Sequence, residues 1–153
     1  MSFDQDRADG KLELISFEIA GQEFCIDIRA VREIRGWTAA TRMPDTPSYV
    51  LGVINLRGAV MPVLDLRNRL GLGETVASSR HVFVVVQDGD RLAGLMVDAV
   101  QETFEVDAGL LQPPPDMDAG DASFVDAIIP LEGRLLSRLV VASLLPGAMR
   151  AAA

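Results

Sequence analysis

Two stretches of the chain, 69 residues apart, read alike: residues 28–34 are I-R-A-V-R-E-I and residues 97–103 are V-D-A-V-Q-E-T. Ala30, Val31 and Glu33 recur as Ala99, Val100 and Glu102. A second echo sets Leu56 and Gly58 against Leu131 and Gly133 at a spacing of 75, and the six extra residues fit a proline-rich loop around 113–122. Similarity at a fixed spacing marks a duplicated structural unit. A strand-rich unit of roughly 65 residues is small enough to fold around one core as a closed sheet. The repeat therefore predicts a mainly β fold made of two small β-barrels.

Strand and turn signals fill in that outline. Residues 12–19 and 22–28 are apolar runs either side of Ala20-Gly21, a hairpin pattern. Ile28, Val31 and Ile34 fall three apart with charges between them, which predicts a short amphipathic helical turn ending near Gly36. Residues 38–43 read as extended, and Pro44-Asp45-Thr46-Pro47 as a rigid turn, because proline fixes φ and restricts the residue before it. Residues 50–56 and 60–66 are strands about Arg57-Gly58, with 65–70 turning helical before Gly71. Residues 71–79, G-L-G-E-T-V-A-S-S, read as a linker. The pattern then restarts. Residues 80–86 and 91–97 flank the hairpin turn Q-D-G-D, 97–100 begin a short apolar turn, 103–106 are extended and 107–110 form one helical turn. After Pro113-Pro114-Pro115, residues 124–131 and 134–141 form a last hairpin about Glu132-Gly133, and 142–145 close the fold. Residues 1–11 and 147–153 read as flexible tails.

Composition narrows the function. The chain has 153 residues and a formal net charge of −8, so its surface repels phosphate backbones, and nucleic acid and anionic membrane are not expected as partners. Aromatic residues are only 5%, which leaves the core to Val, Leu, Ile and Ala. The polar, acidic start lacks the features of a signal peptide, no apolar run approaches the length of a membrane span, and a single cysteine suits a reducing compartment.

Chemistry-bearing residues are few. His81, the one histidine, opens an apolar strand, and Cys25 lies between Phe24 and Ile26, where it reads as a small hydrophobe. Together they are the only basis for an enzyme reading, a Cys–His nucleophile pair. Two soft ligands 56 residues apart do not make a zinc site. Gly71-Leu72-Gly73 lacks the residues of a phosphate loop, and Asp116, Asp118 and Asp121 lack the closing glutamate of a calcium loop. No catalytic residue, cofactor or metal is expected.

One region is dense in residues with no packing reason: I-D-I-x-x-V-R-E-I-R-G, T-R-M-P-D-T-P-x-Y-V-x-G-V-I-N-L-R-G and V-x-P-V-x-D-L-R, running nearly unbroken from 24 to 70. These segments resemble the signature of the CheW family of bacterial chemotaxis coupling proteins. The second half is similar in layout, with D-G-D-R-x-x-G-L-x-V-D-A-V-Q-E over 88–102 and Leu110 to Pro115 beyond. The resemblance covers residues 12–146 as a single CheW-like domain. It implies two SH3-like five-stranded β-barrels packed on a shared hydrophobic core, with short helices. The first barrel would span about 12–70, with the C-terminal segment available to close it, and the second about 80–141.

The resemblance also implies a function. A non-catalytic cytoplasmic scaffold would couple a CheA-type histidine kinase, through its regulatory domain, to the cytoplasmic tip of methyl-accepting chemoreceptors. The tip would enter a groove between the barrels. The first barrel would carry the kinase surface, by residues the sequence does not single out, and the second would complete rings of adaptor and kinase. A related adaptor in surface motility or second-messenger signalling is the alternative.

Val31, Glu33, Gly52 and Arg57 match family positions linked to receptor coupling, and Asn55 and Gly58 complete the set. Each has a plainer reading: Val31 as core, Glu33 and Arg57 as a surface pair, Gly52, Asn55 and Gly58 as turn residues. Trp37 is either a binding anchor or a cover for one barrel end. The second copy departs from the family at Ala127, Arg138 and Val140, and an inward Arg138 requires a buried partner.

Overall fold

The computed structural model describes residues 10–115 and 124–146. The tails outside them and the aspartate-rich loop at Asp116, Asp118 and Asp121 lie beyond the described residues. Among the described residues ten strands form two five-stranded sheets. In chain order they are β1 (Lys11–Ile19), β2 (Gln22–Asp27), β3 (Val31–Gly36), β4 (Val50–Leu56), β5 (Ala59–Asp65), β6 (Val82–Asp88), β7 (Arg91–Val97), β8 (Ala99–Asp107), β9 (Val125–Leu131) and β10 (Arg134–Leu139). Two one-turn helices follow β5 and β10: α1 (Leu66–Arg69) and α2 (Val141–Leu144).

The sheets share one plan. One sheet runs β8-β1-β2-β10-β9 and the other β3-β6-β7-β5-β4. Each is an edge strand, a hairpin, a parallel junction (β2 with β10, β5 with β7) and a second hairpin. The register repeats as well. Leu56 faces Ala59 as Leu131 faces Arg134, and Ile54 faces Met61 as Ile129 faces Leu136. Bulges fall at matching places, at Val31/Glu33 on β3 and opposite Val100 and Glu102 on β8. Isolated bridges, Thr41 to Val53 and Gln112 to Ile128, close the two barrels in the same way.

The strands are shared out differently from the expected 12–70 and 80–141. Hairpin β1–β2, from the first half, fills the sheet otherwise built from β8, β9 and β10, while hairpin β6–β7 fills the sheet of β3, β4 and β5. The two copies have exchanged hairpins. Local patterning specifies each hairpin, whereas the barrel it joins is decided by pairing between distant strands.

Three apolar clusters explain the composition. Leu12, Leu14, Cys25, Ile129 and Leu136 fill one barrel, and Ile54, Met61, Val63, Phe83 and Val85 fill the other. Between the barrels, Ile15, Phe17 and Ile26 meet Leu64, Val84, Val86 and Leu95. Strands β1 and β6 therefore bury both faces, which is why they read as unbroken apolar runs.

Two local expectations are corrected. Residues 28–34 are not a helical turn throughout: a 3₁₀ turn covers Ile28–Ala30, and Val31–Gly36 is an edge strand paired with β6. The three-residue spacing was incidental, since Ile34 is exposed and the strand's alternation puts Val31, Glu33 and Arg35 on the more covered side. Nor do residues 97–100 form a turn. Asp98 alone separates β7 from β8, so the chain steps from one sheet to the other across a single residue.

Candidate partner-binding site

The expected site residues gather around β3 and the β4–β5 hairpin, with different surroundings. The turn of that hairpin has positive φ at both central positions, 51° at Arg57 and 89° at Gly58, the turn geometry that suits strand twist. Asn55 Oδ1 accepts from the Gly58 backbone N–H at 2.8 Å and holds the turn shut. Arg57 is thereby projected outward, 69% exposed, and its Nη2 donates to Glu33 Oε2 on β3 at 2.9 Å. Arg35 Nη1 lies 3.9 Å from the same carboxylate oxygen. Glu33 sits at the β3 bulge, where the extra residue re-aims the side chains beside it. Glu33, Arg57, Asn55 and Gly58 thus form one rim, with Arg32, Gln87 and Leu92 lining the adjoining depression.

Val31 and Gly52 stand apart from the rim. Val31 is half-buried against the cluster between the barrels, which is the packing reading: it belongs to the edge of that core. Gly52 has φ of 146°, and a Cβ built on it would run into the Thr41 carbonyl. A backbone does approach this glycine closely, and it is the chain's own. The Thr41 and Val53 backbones exchange two hydrogen bonds of 2.9 Å there and close the barrel. Trp37 packs half-buried over the Ile54–Phe83 cluster and covers one end of that barrel.

Residues that the sequence reading passed over extend the rim. Ile34 and Val60 are exposed apolar side chains, and Arg35 Nε is buried with no acceptor among the described residues. Arg35 and Val60 line one depression with Thr38, Thr41 and Asn55. A period-two reading of V-R-E-I-R would have pointed Ile34 outward; the helical reading hid it.

The second copy differs where the sequence departs. Arg138, 4% exposed, faces inward, with Nε to Asp126 Oδ1 at 2.8 Å and Nη2 to Oδ2 at 3.0 Å. Its partner is Asp126, whose own side chain is only half-buried. Asp65 caps α1 and ties down the linker, accepting from Asn68 N–H and from the Thr75 N–H and hydroxyl at 2.9 and 2.8 Å. Val140, its counterpart, caps α2 with no side-chain hydrogen bond.

Cys25 and His81 do not form a nucleophile pair. Cys25 is fully buried among Leu12, Leu14 and Leu136, and burial pushes its thiol up to about 12 against the opposing pull of Arg138. A reactive cysteine needs the opposite shift. His81 contacts Asp98 Oδ1 through Nε2 at 3.4 Å and accepts from the Ser78 N–H at Nδ1, as a linker-end fastening. Among the described residues no group of three or more His, Cys, Asp or Glu side chains could hold a metal ion, and no helix is long and apolar enough to cross a membrane.

Comparisons with known proteins identify the family. The family model of the CheW-like domain matches residues 13–149. A chemotaxis protein CheW of Rhizobium meliloti is 47% identical over 146 residues, spanning 95% of this chain and 94% of the relative. A probable chemotaxis protein CheW of Rhizobium etli is 46% identical, over 83% of each chain. The crystal structure of the scaffolding protein TtCheW from Thermoanaerobacter tengcongensis superposes with a TM-score of 0.79 at 32% identity, covering 84% of this chain and 88% of that one. A duplicated two-barrel β fold, the motif run from 24 to 70 and these likenesses place the chain in the CheW family.

Proposed function

We propose that this chain is a non-catalytic chemotaxis scaffold that holds a CheA-type histidine kinase against the cytoplasmic tip of methyl-accepting chemoreceptors. The observation that carries the reading is the rim: in a chain of the CheW family, the Glu33–Arg57 pair lies at the surface on β3 and the β4–β5 hairpin, and Val31, on the same strand as Glu33, lies at the edge of the inter-barrel core. A helical receptor tip offers an apolar ridge flanked by polar groups. Val31 would meet the ridge, and Glu33 and Arg57 would exchange part of their mutual pairing for polar groups of the tip. Asn55 and Gly58 act through the turn that aims Arg57, and Gly52 through barrel closure. The kinase surface lies on the barrel of β3 to β7, which receives most of the 24–70 motif run. Action in the cytoplasm, at receptor arrays, follows from these partners. The chemotaxis names of the relatives at 47% and 46% identity favour this pathway over an adaptor role elsewhere.

The test is NMR shift mapping with a receptor cytoplasmic fragment and then with the CheA regulatory domain. Shifts at Val31, Glu33 and Arg57 on adding the receptor fragment, and a ternary complex on adding both, support the reading. Absence of binding to either at tens of micromolar sinks it.

A further inference from the structure

We infer that Arg69 is a positioning residue for the inter-barrel groove: it fixes the angle at which the two barrels meet, and with it the affinity for the receptor tip. This rests on the reading above that the tip enters between the barrels. Arg69 ends α1, on the barrel of β3 to β7. Its guanidinium reaches across to the other barrel's chain, with Nε donating to the Leu144 carbonyl at 2.9 Å and Nη2 to the Ser143 carbonyl at 3.0 Å. These carbonyls end α2, where a helix leaves acceptors without intrahelical donors. The same guanidinium lies over the Tyr49 ring at 4.2 Å and the Phe124 ring at 4.9 Å.

The location is set by the duplication. Tyr49 and Phe124 each immediately precede the first strand of a matching hairpin, β4 and β9, at the spacing of 75 that relates the two hairpins. Leu144 lies 75 residues beyond Arg69. The side chain therefore sits where the two copies face one another, in contact with both. Tyr49 is tied to its own barrel by accepting from Asp65 N–H at 2.7 Å, and Phe124 to the other by accepting from Val140 N–H at 2.9 Å. The core between the barrels is apolar and non-directional, so it resists separation more than rotation. Other polar links among the described residues include Asp98, whose N–H donates to the Glu18 carbonyl at 3.0 Å and whose Oδ2 accepts from Ala20 N–H at 2.8 Å, and Arg91 Nη2, which donates to the Ala142 carbonyl at 3.3 Å. Arg69 alone of these combines two in-plane donations with two stacked rings. A planar guanidinium does both at once; an ammonium does not.

The experiment compares Arg69→Met and Arg69→Lys with the full-length wild type. Residual dipolar couplings of strand amides report the relative orientation of the two sheets. Titrations measure affinity for a receptor cytoplasmic fragment and, separately, for the CheA regulatory domain. In Arg69→Met, each sheet is expected to keep its internal couplings while the angle between sheets changes. Receptor affinity falls about tenfold, kinase-domain affinity stays within about twofold, and Arg69→Lys recovers only part of the loss. An unchanged inter-sheet angle, or receptor affinity equal to wild type, overturns the inference. If Arg69→Met does not fold, Tyr49→Leu and Phe124→Leu each remove one ring and carry the same expectations. Wild type that binds no receptor fragment defeats the groove reading instead, and the inter-sheet angle still decides whether Arg69 sets it.

Discussion

Buried Arg138 and half-buried Asp126 form a side-on ion pair where the other copy carries Val63 and Leu51. A buried pair of this kind contributes little over an apolar pair of similar size, but either partner alone is costly. Asp126→Ala should therefore destabilise by about 3–5 kcal/mol. The double change to the first copy's residues, Asp126→Leu with Arg138→Val, should be neutral or stabilising by about 1–4 kcal/mol. Urea unfolding of the three proteins checks both, and a double variant as unstable as the single one would show that the pair does more than neutralise itself.

Acid should weaken the same end of the molecule. Burial alone would raise the Asp27 carboxyl, but hydrogen bonds from the Arg29 side chain and backbone, with the charges of Arg29 and Arg138, outweigh it and hold the group below the usual carboxylate range. A carboxylate depressed in the folded state adds stability that is fully present above its unfolded value and is lost as pH falls through its folded one. The denaturation midpoint should hold from neutrality to about pH 5 and decline below about pH 4. Asp27→Asn should be less stable at neutral pH and flatter in that acid range.

Removing the exposed arm of the rim should leave the fold nearly intact. Arg57 is 69% exposed and its pair with Glu33 is a surface pair, so Arg57→Ala should cost about 0–1 kcal/mol of stability. Receptor-fragment affinity should fall by a larger factor than that. Glu33→Lys, which sets three cations together with Arg35 and Arg57, should weaken coupling further with both barrels still folded. A melting-point drop in Arg57→Ala as large as that of a core Leu→Ala change would assign Arg57 to the fold instead.

Gly52→Ala should behave in the opposite way. The new methyl meets the Thr41 carbonyl at a φ that side chains disfavour, so a loss of about 1–3 kcal/mol is expected. Hydrogen exchange at the Thr41 and Val53 amides should speed up, while Ala127→Gly leaves the Gln112–Ile128 bridge in place.

Cys25 should resist thiol reagents in the native protein. With the thiol buried and pushed up to about 12, labelling requires opening of the barrel, so its rate should track global unfolding in urea. Rapid stoichiometric labelling without denaturant would revive a reactive-cysteine role.

Turns and hairpins were legible because they are written in adjacent residues. Ala20-Gly21, Arg57-Gly58 and Glu132-Gly133 all take positive φ in the structure, and the copies match down to their bulges. The V-R-E-I-R segment misled because three-residue spacing in a short run fits a helix as well as chance, and its true partner, β6, lies some fifty residues away. The division of strands between barrels was illegible for the same reason on a larger scale, since it depends on β1 choosing β8 and not β3. At the rim, the Glu33–Arg57 reading as a surface pair matched the geometry because both residues sit on neighbouring short elements. The role of Gly52 was half visible: the close backbone was expected, but not that it comes from Thr41.

The exchanged hairpins make each half of the chain incomplete. A break in the linker at 71–79 would not release two barrels; it would release two fragments, each owning three strands of one barrel and two of the other. Such fragments have reason to find one another, and a single ancestral half would have had the same reason to find its own duplicate. The second copy carries Glu102 and Glu132 where the rim has Glu33 and Arg57, two like charges in place of a pair, so the two barrels, bound together by shared strands, present different faces to a partner.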